Sequence, residues 1–83
     1  MTCVTLYTRV GCHLCEAVEE VLRGANKTKH AFNLEFIDID QDNSAFALYQ
    51  YEIPVVFVNG VEVARHRMDR ATFERALNEA RSS

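Results

Sequence analysis

The sequence lacks the features that are typical of membrane-spanning or disordered proteins. No apolar run approaches the roughly 18 residues that a membrane span requires, and Met1 to Tyr7 do not form a secretory signal peptide. There is no low-complexity tract, and 48% hydrophobic with 25% charged residues is typical of a globular protein. There is no excess of positive charge, since the net charge is −3, which argues against nucleic-acid binding. We therefore expect one domain over residues 1–83, cytoplasmic, with no membrane or nucleic-acid partner.

Cysteine is scarce and odd in number, with three residues in the chain. A secreted scaffold held by disulfides would more often carry an even set. Asn26-Lys27-Thr28 matches a glycosylation sequon, which we interpret as a chance match because no export signal is visible. In a reducing compartment, closely spaced cysteines indicate redox chemistry or metal binding rather than a permanent structural bridge.

Hydrophobic periodicity predicts the element order β-α-β-α-β-β-α. The first two strands flank a helix, so they should be parallel with a right-handed crossover. Asn59-Gly60 predicts a tight hairpin between the last two strands, because a type I′ turn needs two residues that tolerate positive φ. Gly24 is expected to end the first helix. The predicted strands are about 3–8, 32–39, 55–58 and 61–65, and the predicted helices are about 12–23, a short helix ending near Tyr51, and a last helix capped by Asp69.

Cys12 and Cys15 lie where the first strand is expected to run into the first helix. Unpaired amides and the positive end of the helix dipole favour a thiolate at that position, and the thiolate is the reactive form of cysteine. Cys15 should lie deeper, inside the first turn. Three interpretations stay open at this point: a redox pair, half of a zinc site, or two ordinary buried cysteines. Zinc would require further ligands, and Cys3, His13, His30 and His66 show no ligand spacing.

Two segments resemble a known family. Leu6-Tyr7-Thr8-Arg9-Val10-Gly11-Cys12-His13-Leu14-Cys15 is similar to the active-site segment of glutaredoxins, especially the short glutaredoxin-like family with Gly-Cys-His-Leu-Cys. Ile53-Pro54-Val55-Val56-Phe57-Val58-Asn59-Gly60 resembles that family's second motif. The resemblance covers residues 3 to about 80. It implies an α/β, thioredoxin-like fold, in which a four-stranded mixed sheet ordered second, first, third, fourth strand is flanked by three helices.

The resemblance also implies the roles of individual residues. Cys12 would be the nucleophile, Cys15 the resolving thiol that forms a redox-active disulfide with it, and Pro54 a cis-proline facing them. Residues implied to bind substrate are Arg9, His13, Leu14, Ile53, Pro54 and Asp69. No metal site is implied.

The supporting residues have simpler interpretations as well. Arg9 would stabilise the thiolate and a bound glutathione carboxylate, or be a solvated loop residue. His13 would tune the redox potential or be passively exposed. Glutaredoxins place a Gly-Gly pair just before the residue corresponding to Asp69, where this chain has Ala64-Arg65-His66-Arg67-Met68. The missing glycines favour a plain helix-capping role for Asp69 and weak glutathione binding.

Two further features carry simpler expectations. Cys3 is expected to be a buried small hydrophobe in a central strand. The basic cluster Arg65, His66, Arg67 and Arg70 is a solvated edge or attracts an acidic partner.

We interpret the sequence as that of a monomeric dithiol thiol–disulfide oxidoreductase. Its partners would be a disulfide-containing protein or small molecule and a reductant: glutathione, a thioredoxin-reductase-type enzyme or another redoxin. No bound cofactor is expected. Two alternatives from other classes remain: a binding module that holds metal or an iron–sulfur cluster through Cys12, and a non-catalytic interaction domain.

Overall fold

The secondary structure follows the predicted order. A computed structural model of the protein describes residues 2–28 and 32–82. The strands and helices are β1 (Cys3–Thr8), α1 (His13–Thr28), β2 (Asn33–Asp38), a 3₁₀ turn (Ile39–Gln41), α2 (Asn43–Tyr49), β3 (Val55–Val58), β4 (Val61–Arg65) and α3 (Arg70–Ser82). The expected end of the second helix near Tyr51 is therefore two residues too late.

The four strands form one mixed sheet in the order β2-β1-β3-β4. β1 runs parallel to β2, with Cys3 opposite Asn33 and Thr8 opposite Asp38. β3 is antiparallel to β1 and to β4, so the predicted hairpin is confirmed. Its turn has Asn59 at φ 51° and Gly60 at φ 82°, the conformation that favours glycine.

The main core lies between one face of the sheet and the helices α1 and α3. Alternation along β1 turns Val4 and Leu6 to this face, where they are almost completely buried. They pack with a set of apolar residues from the helices and β3: Val18, Leu22, Phe73, Leu77, Val56 and Val58. The opposite face carries a smaller aromatic cluster, in which the Tyr7 ring lies 4.7 Å from Tyr49 and 5.6 Å from Phe57. Burial is the main cause that raises the pKa of Tyr7.

The expected end of the first helix at Gly24 is wrong, because α1 continues to Thr28. The added turn places Ala25 in the core with no exposed surface, and this burial stabilises the longer helix. Part of the connection predicted over residues 25–31, and the candidate ligand His30, lie outside the described residues.

The expected burial of Cys3 is also wrong, because its side chain is exposed. β1 is an interior strand as predicted, but Cys3 is its first residue and lies on the same face as Thr5 and Tyr7. The aromatic cluster on that face covers the far end of the strand, around Tyr7, and leaves Cys3 in contact with solvent.

Candidate functional site

The dithiol occupies the junction between β1 and α1. Cys12 directly precedes the helix, and Cys15 lies in its first turn. The two form a disulfide with a Cα–Cα distance of 5.2 Å. The backbone N–H of Cys15 donates a hydrogen bond to Cys12 Sγ at 3.1 Å, which is the contact that a capping side chain makes at a helix start. The Cys12 sulfur therefore already accepts from one of the free amides at the positive end of α1.

The two sulfurs differ in access to solvent. Cys15 has no exposed surface, whereas Cys12 is half-buried. The connecting loop turns at Gly11, with φ 84°, and the Cys12 N–H donates to the Arg9 carbonyl at 3.3 Å. This tight turn presents Cys12 at the surface while α1 carries Cys15 into the protein.

The side chain of Arg9 forms an ion pair with Asp40. Its Nε donates to Asp40 Oδ2 at 2.9 Å, and its guanidinium carbon lies 5.7 Å from the centre of the Phe46 ring. The Asp40 carboxylate neutralises much of the field of Arg9. With this pairing, Arg9 has a weaker electrostatic effect on a thiolate at Cys12 than an isolated arginine would have.

Three residues close to Cys12 in the sequence have side chains that are exposed to solvent: Val10, His13 and Leu14. The His13 side chain is 96% exposed, and its Nδ1 lies 3.7 Å from a carboxylate oxygen of Glu16, one turn along α1. Leu14 is 51% exposed and Val10 is 87% exposed. We did not assign Val10 a role from the sequence, although its position two residues before Cys12 was a usable signal.

Ile53 and Pro54 lie at the same end of the sheet as the dithiol loop. The register pairs Tyr7 near the end of β1 with Val55 at the start of β3, so Pro54 follows on at that edge. The Ile53–Pro54 peptide bond is cis, as the resemblance implies. Pro54 is buried, and its carbonyl accepts a hydrogen bond from the His66 N–H at 2.8 Å.

Asp69 caps α3. Its carboxylate accepts from the Thr72 N–H at 2.8 Å, and this bond is the main cause that lowers the pKa of Asp69. The capping role favoured by the sequence is confirmed. In the segment before Asp69, His66 adopts a left-handed φ of 73° although it is not glycine.

The basic cluster around β4 is largely paired with acidic residues of the same chain. Arg65 makes two hydrogen bonds to Glu62, at 2.8 and 2.7 Å, which raise the pKa of Arg65 and lower that of Glu62. Arg70 pairs with Glu74 at 2.9 Å. The cluster is therefore a mixed-charge surface rather than a positive patch for an acidic partner.

In residues 2–28 and 32–82, no group of three or more His, Cys, Asp or Glu side chains is arranged to hold a metal ion. Over the same residues, no helix is both long and apolar enough to cross a bilayer.

Comparison with known proteins places these features in context. A family model described as Glutaredoxin-like domain (DUF836) matches residues 3–78. A glutaredoxin-like protein of Dictyostelium discoideum is 30% identical over 71 residues, which cover 80% of this chain and 66% of that protein. The chain thus spans slightly less than two thirds of the length of this relative.

Solved structures agree on the fold. A solution NMR structure of a Nitrosomonas europaea protein is 32% identical, with a TM-score of 0.74 over 90% of this chain and 89% of that chain. An X-ray structure from X. campestris is 30% identical, with a TM-score of 0.74 over 92% and 96% of the two chains. A mutant thioredoxin from Halobacterium salinarum shares the fold at 14% identity, with a TM-score of 0.72 over 94% and 73%. The fold is thioredoxin-like.

Proposed function

Because the chain belongs to the glutaredoxin-like domain family, we propose that it is a dithiol thiol–disulfide oxidoreductase that acts through Cys12 and Cys15. One observation carries the proposal: Cys12 Sγ accepts the Cys15 amide at the start of α1, while Cys15 itself is fully buried. An attacking sulfur needs access and a stabilised thiolate, and a resolving sulfur needs proximity and protection from other disulfides.

The reaction has two exchange steps. The Cys12 thiolate attacks one sulfur of a substrate disulfide, forming a mixed disulfide and releasing the other sulfur as a thiolate that takes a proton from solvent. Cys15 then loses its proton and attacks Cys12 Sγ, forming the Cys12–Cys15 bond and releasing the second substrate sulfur. Two electrons pass from the dithiol to the substrate. An external thiol or dithiol, such as glutathione or a reductase-linked system, reduces the protein again.

The residues around the dithiol bind the substrate and take no part in making or breaking covalent bonds. Leu14, His13 and Val10 offer an accessible surface beside Cys12, and Ile53-Pro54 offers a second one at the same end of the sheet. No bound cofactor is needed for either step, and a monomer contains both sulfurs. The cytoplasm suits this chemistry because its thiol systems keep the dithiol reduced.

The division of roles between the sulfurs is tested by trapping. Cys15→Ser should still attack a disulfide and stall, accumulating a mixed disulfide on Cys12, whereas Cys12→Ser should form none. Cys3→Ser is the matched control, because Cys3 is exposed but lies at the opposite end of β1. Each variant is mixed with a peptide disulfide and weighed by mass spectrometry.

The trapping experiment also has outcomes that contradict the proposal. Trapping by Cys12→Ser but not by Cys15→Ser would reverse the assignment. A wild-type protein that reduces no disulfide, in a preparation with visible absorption, would favour the cluster-holding module instead.

A further inference from the structure

A buried hydroxyl group lies at the end of β1 without a hydrogen-bond partner. Thr8, the last residue of the strand, is half-buried, and its Oγ1 atom is buried. Among residues 2–28 and 32–82, no group forms a hydrogen bond with this oxygen. A buried polar atom without a partner is destabilising, and such atoms are rare in folded proteins.

The residue opposite Thr8 in the sheet does not satisfy the hydroxyl. The register of β1 with β2 pairs Thr8 with Asp38. Asp38 Oδ1 accepts from the Asp40 N–H at 2.9 Å and caps the 3₁₀ turn, and the Thr8 hydroxyl makes no hydrogen bond to this carboxylate. Alternation turns the hydroxyl to the face of the sheet that the helices cover, so a helix is the element that can supply a partner.

Cys15 is the residue of α1 that lies level with Thr8. Since β1 and β2 are parallel and joined by α1, the helix runs back along the sheet in the direction opposite to β1. The start of α1 therefore lies over the end of β1. The almost completely buried residues of α1 recur at intervals of three and four, and Cys15 is the first of them: Cys15, Val18, Leu22 and Ala25. The last inward residue of β1 and the first buried residue of α1 thus share one end of the core.

The redox state of Cys15 decides whether it can bond to Thr8. In the disulfide, Cys15 Sγ carries no proton, and the Thr8 hydroxyl makes no hydrogen bond to it. Reduction leaves a thiol, which both donates and accepts, or a thiolate, which is a stronger acceptor. Breaking the bond also frees the Cys15 side chain to rotate about its Cα–Cβ bond. The partner that the hydroxyl lacks in the oxidised protein therefore becomes available on reduction.

Cys15 needs a hydrogen-bond donor when it acts as the resolving thiol. The amides at the start of α1 are used elsewhere, since the Cys15 N–H donates to Cys12 Sγ and the Glu16 N–H donates to the Cys12 carbonyl at 3.0 Å. Cys15 has no exposed surface, so water does not solvate its sulfur. A negative charge on a buried sulfur is costly unless a protein group donates to it.

We propose that the Thr8 hydroxyl donates a hydrogen bond to Cys15 Sγ in the reduced protein and during the resolving step. The inference rests on the proposed function and adds Thr8 to its site. In that step Cys15 loses its proton to solvent and its thiolate attacks Cys12 Sγ. The bond between Cys12 and the substrate breaks, and the substrate sulfur leaves with the electron pair and takes up a proton. Once the Cys12–Cys15 bond has formed, the hydroxyl is left without a partner, as the structure shows.

The first test compares the redox equilibria of wild type and three variants. Each protein is equilibrated with glutathione, in which two thiols break the Cys12–Cys15 bond and form one glutathione disulfide. Thr8→Val keeps the shape of the side chain and removes the hydroxyl, whereas Thr8→Ser keeps the hydroxyl. Thr5→Val is the matched control, because Thr5 is also half-buried in β1 but faces the opposite side of the sheet. Acid quenching, thiol labelling and mass spectrometry give the reduced fraction.

We expect Thr8→Val to lower the equilibrium constant for reduction about 5- to 10-fold, the equivalent of one hydrogen bond, which makes the reduction potential roughly 20–30 mV more negative. Thr8→Ser should stay close to wild type, because it retains the donor and loses its methyl group in both redox states alike. Thr5→Val should match wild type. An unchanged constant in Thr8→Val, or an equal shift in Thr8→Ser or Thr5→Val, would overturn the inference.

The second test follows the resolving step itself. Reduced wild type and Thr8→Val are mixed with a peptide disulfide and quenched with acid, and the mixed disulfide on Cys12 is weighed over time. In Thr8→Val its conversion to the Cys12–Cys15 bond should be about 3-fold slower, because the thiolate fraction of Cys15 falls while its nucleophilicity rises in part compensation. Equal rates would overturn the role of Thr8 in this step.

The two tests separate the inference from the function on which it rests. The equilibrium with glutathione requires only that the Cys12–Cys15 bond can form and break. A wild-type protein that reduces no peptide disulfide would therefore refute the proposed function, while the equilibrium constants would still decide whether Thr8 bonds to reduced Cys15.

Discussion

At the scale of single residues, the two sulfurs of the dithiol differ through the backbone around them. Cys12 precedes α1 and accepts the Cys15 N–H, so free amides stabilise negative charge on its sulfur. Cys15 is buried among core residues of α1, where an ion is costly. The same helix start thus supplies one reactive and one protected thiol.

A second feature at this scale is the hydroxyl group of Thr8, the last residue of β1. Its Oγ1 is buried and has no hydrogen-bond partner among the described residues. Alternation along the strand places this side chain on the face of Val4 and Leu6, which is packed with apolar groups. An unsatisfied buried hydroxyl is destabilising, and an apolar group of the same shape is tolerated better.

We therefore expect Thr8→Val to stabilise the oxidised protein by about 1 kcal/mol. For a domain of this size, that corresponds to a rise of roughly 4–8 °C in the melting temperature. Thr8→Ser, which keeps the hydroxyl and loses a methyl group, should lower it. Thermal unfolding followed by circular dichroism measures both, and a destabilised Thr8→Val would show that the hydroxyl has a partner after all.

At the scale of elements, α1 contains a glycine in its interior. Gly24 lies four residues before the end of the helix, and its φ is not in the left-handed region. A Cβ added there would lie 3.5 Å from Arg70 Nη1, an ordinary van der Waals contact. Glycine in a helix interior costs conformational entropy on folding that alanine does not.

Gly24→Ala should accordingly stabilise the protein by about 0.5–1 kcal/mol in urea denaturation. The control is Gly60→Ala in the hairpin turn, where an added Cβ meets nothing within 4 Å but φ is 82°. That variant should lose roughly 1 kcal/mol, because the cost of the left-handed conformation is its only effect. Equal effects at the two positions would contradict the helical account of Gly24.

At the scale of the whole molecule, strand directions collect the site at one end of the sheet. β1 ends where β3 begins, and β4, antiparallel to β3, ends there too. The dithiol loop, the segment 52–54 and the residues before α3 therefore share one edge, although they are far apart in the chain. A mixed sheet of this order is what brings them together.

The same edge bears on the choice of reductant. On the β4 side, this edge carries the side chain of His66 and the ion pairs of Glu52 and Glu62 with Arg65. A glycine pair before Asp69 would leave the backbone there uncovered. We expect glutathione to bind weakly and to reduce the oxidised protein more slowly than a thioredoxin-reductase system does. Stopped-flow reduction with each system measures this, and turnover of a glutathione mixed disulfide that saturates at low concentration would contradict it.

Several features follow from the sequence alone because they depend on neighbours in the chain. Asn59-Gly60 specifies its turn through local φ preferences, and Asp69 caps α3 through an amide three residues away. The spacing of Cys12 and Cys15 at a strand–helix junction likewise brings both sulfurs to one helix start. Short-range sterics and hydrogen bonding are enough in each case.

Other features were decided only by the tertiary structure, because they depend on residues distant in the chain. The Arg9 side chain pairs with Asp40, 31 residues away, and not with Cys12, which is its close neighbour in the sequence. Burial of Ala25 extends α1 past Gly24, and the position of the aromatic cluster decides that Cys3 is exposed. Glu52 meets Arg65 and His66 because β3 and β4 pair as they do. Packing selects these partners, and no local preference in the sequence encodes the distances between them.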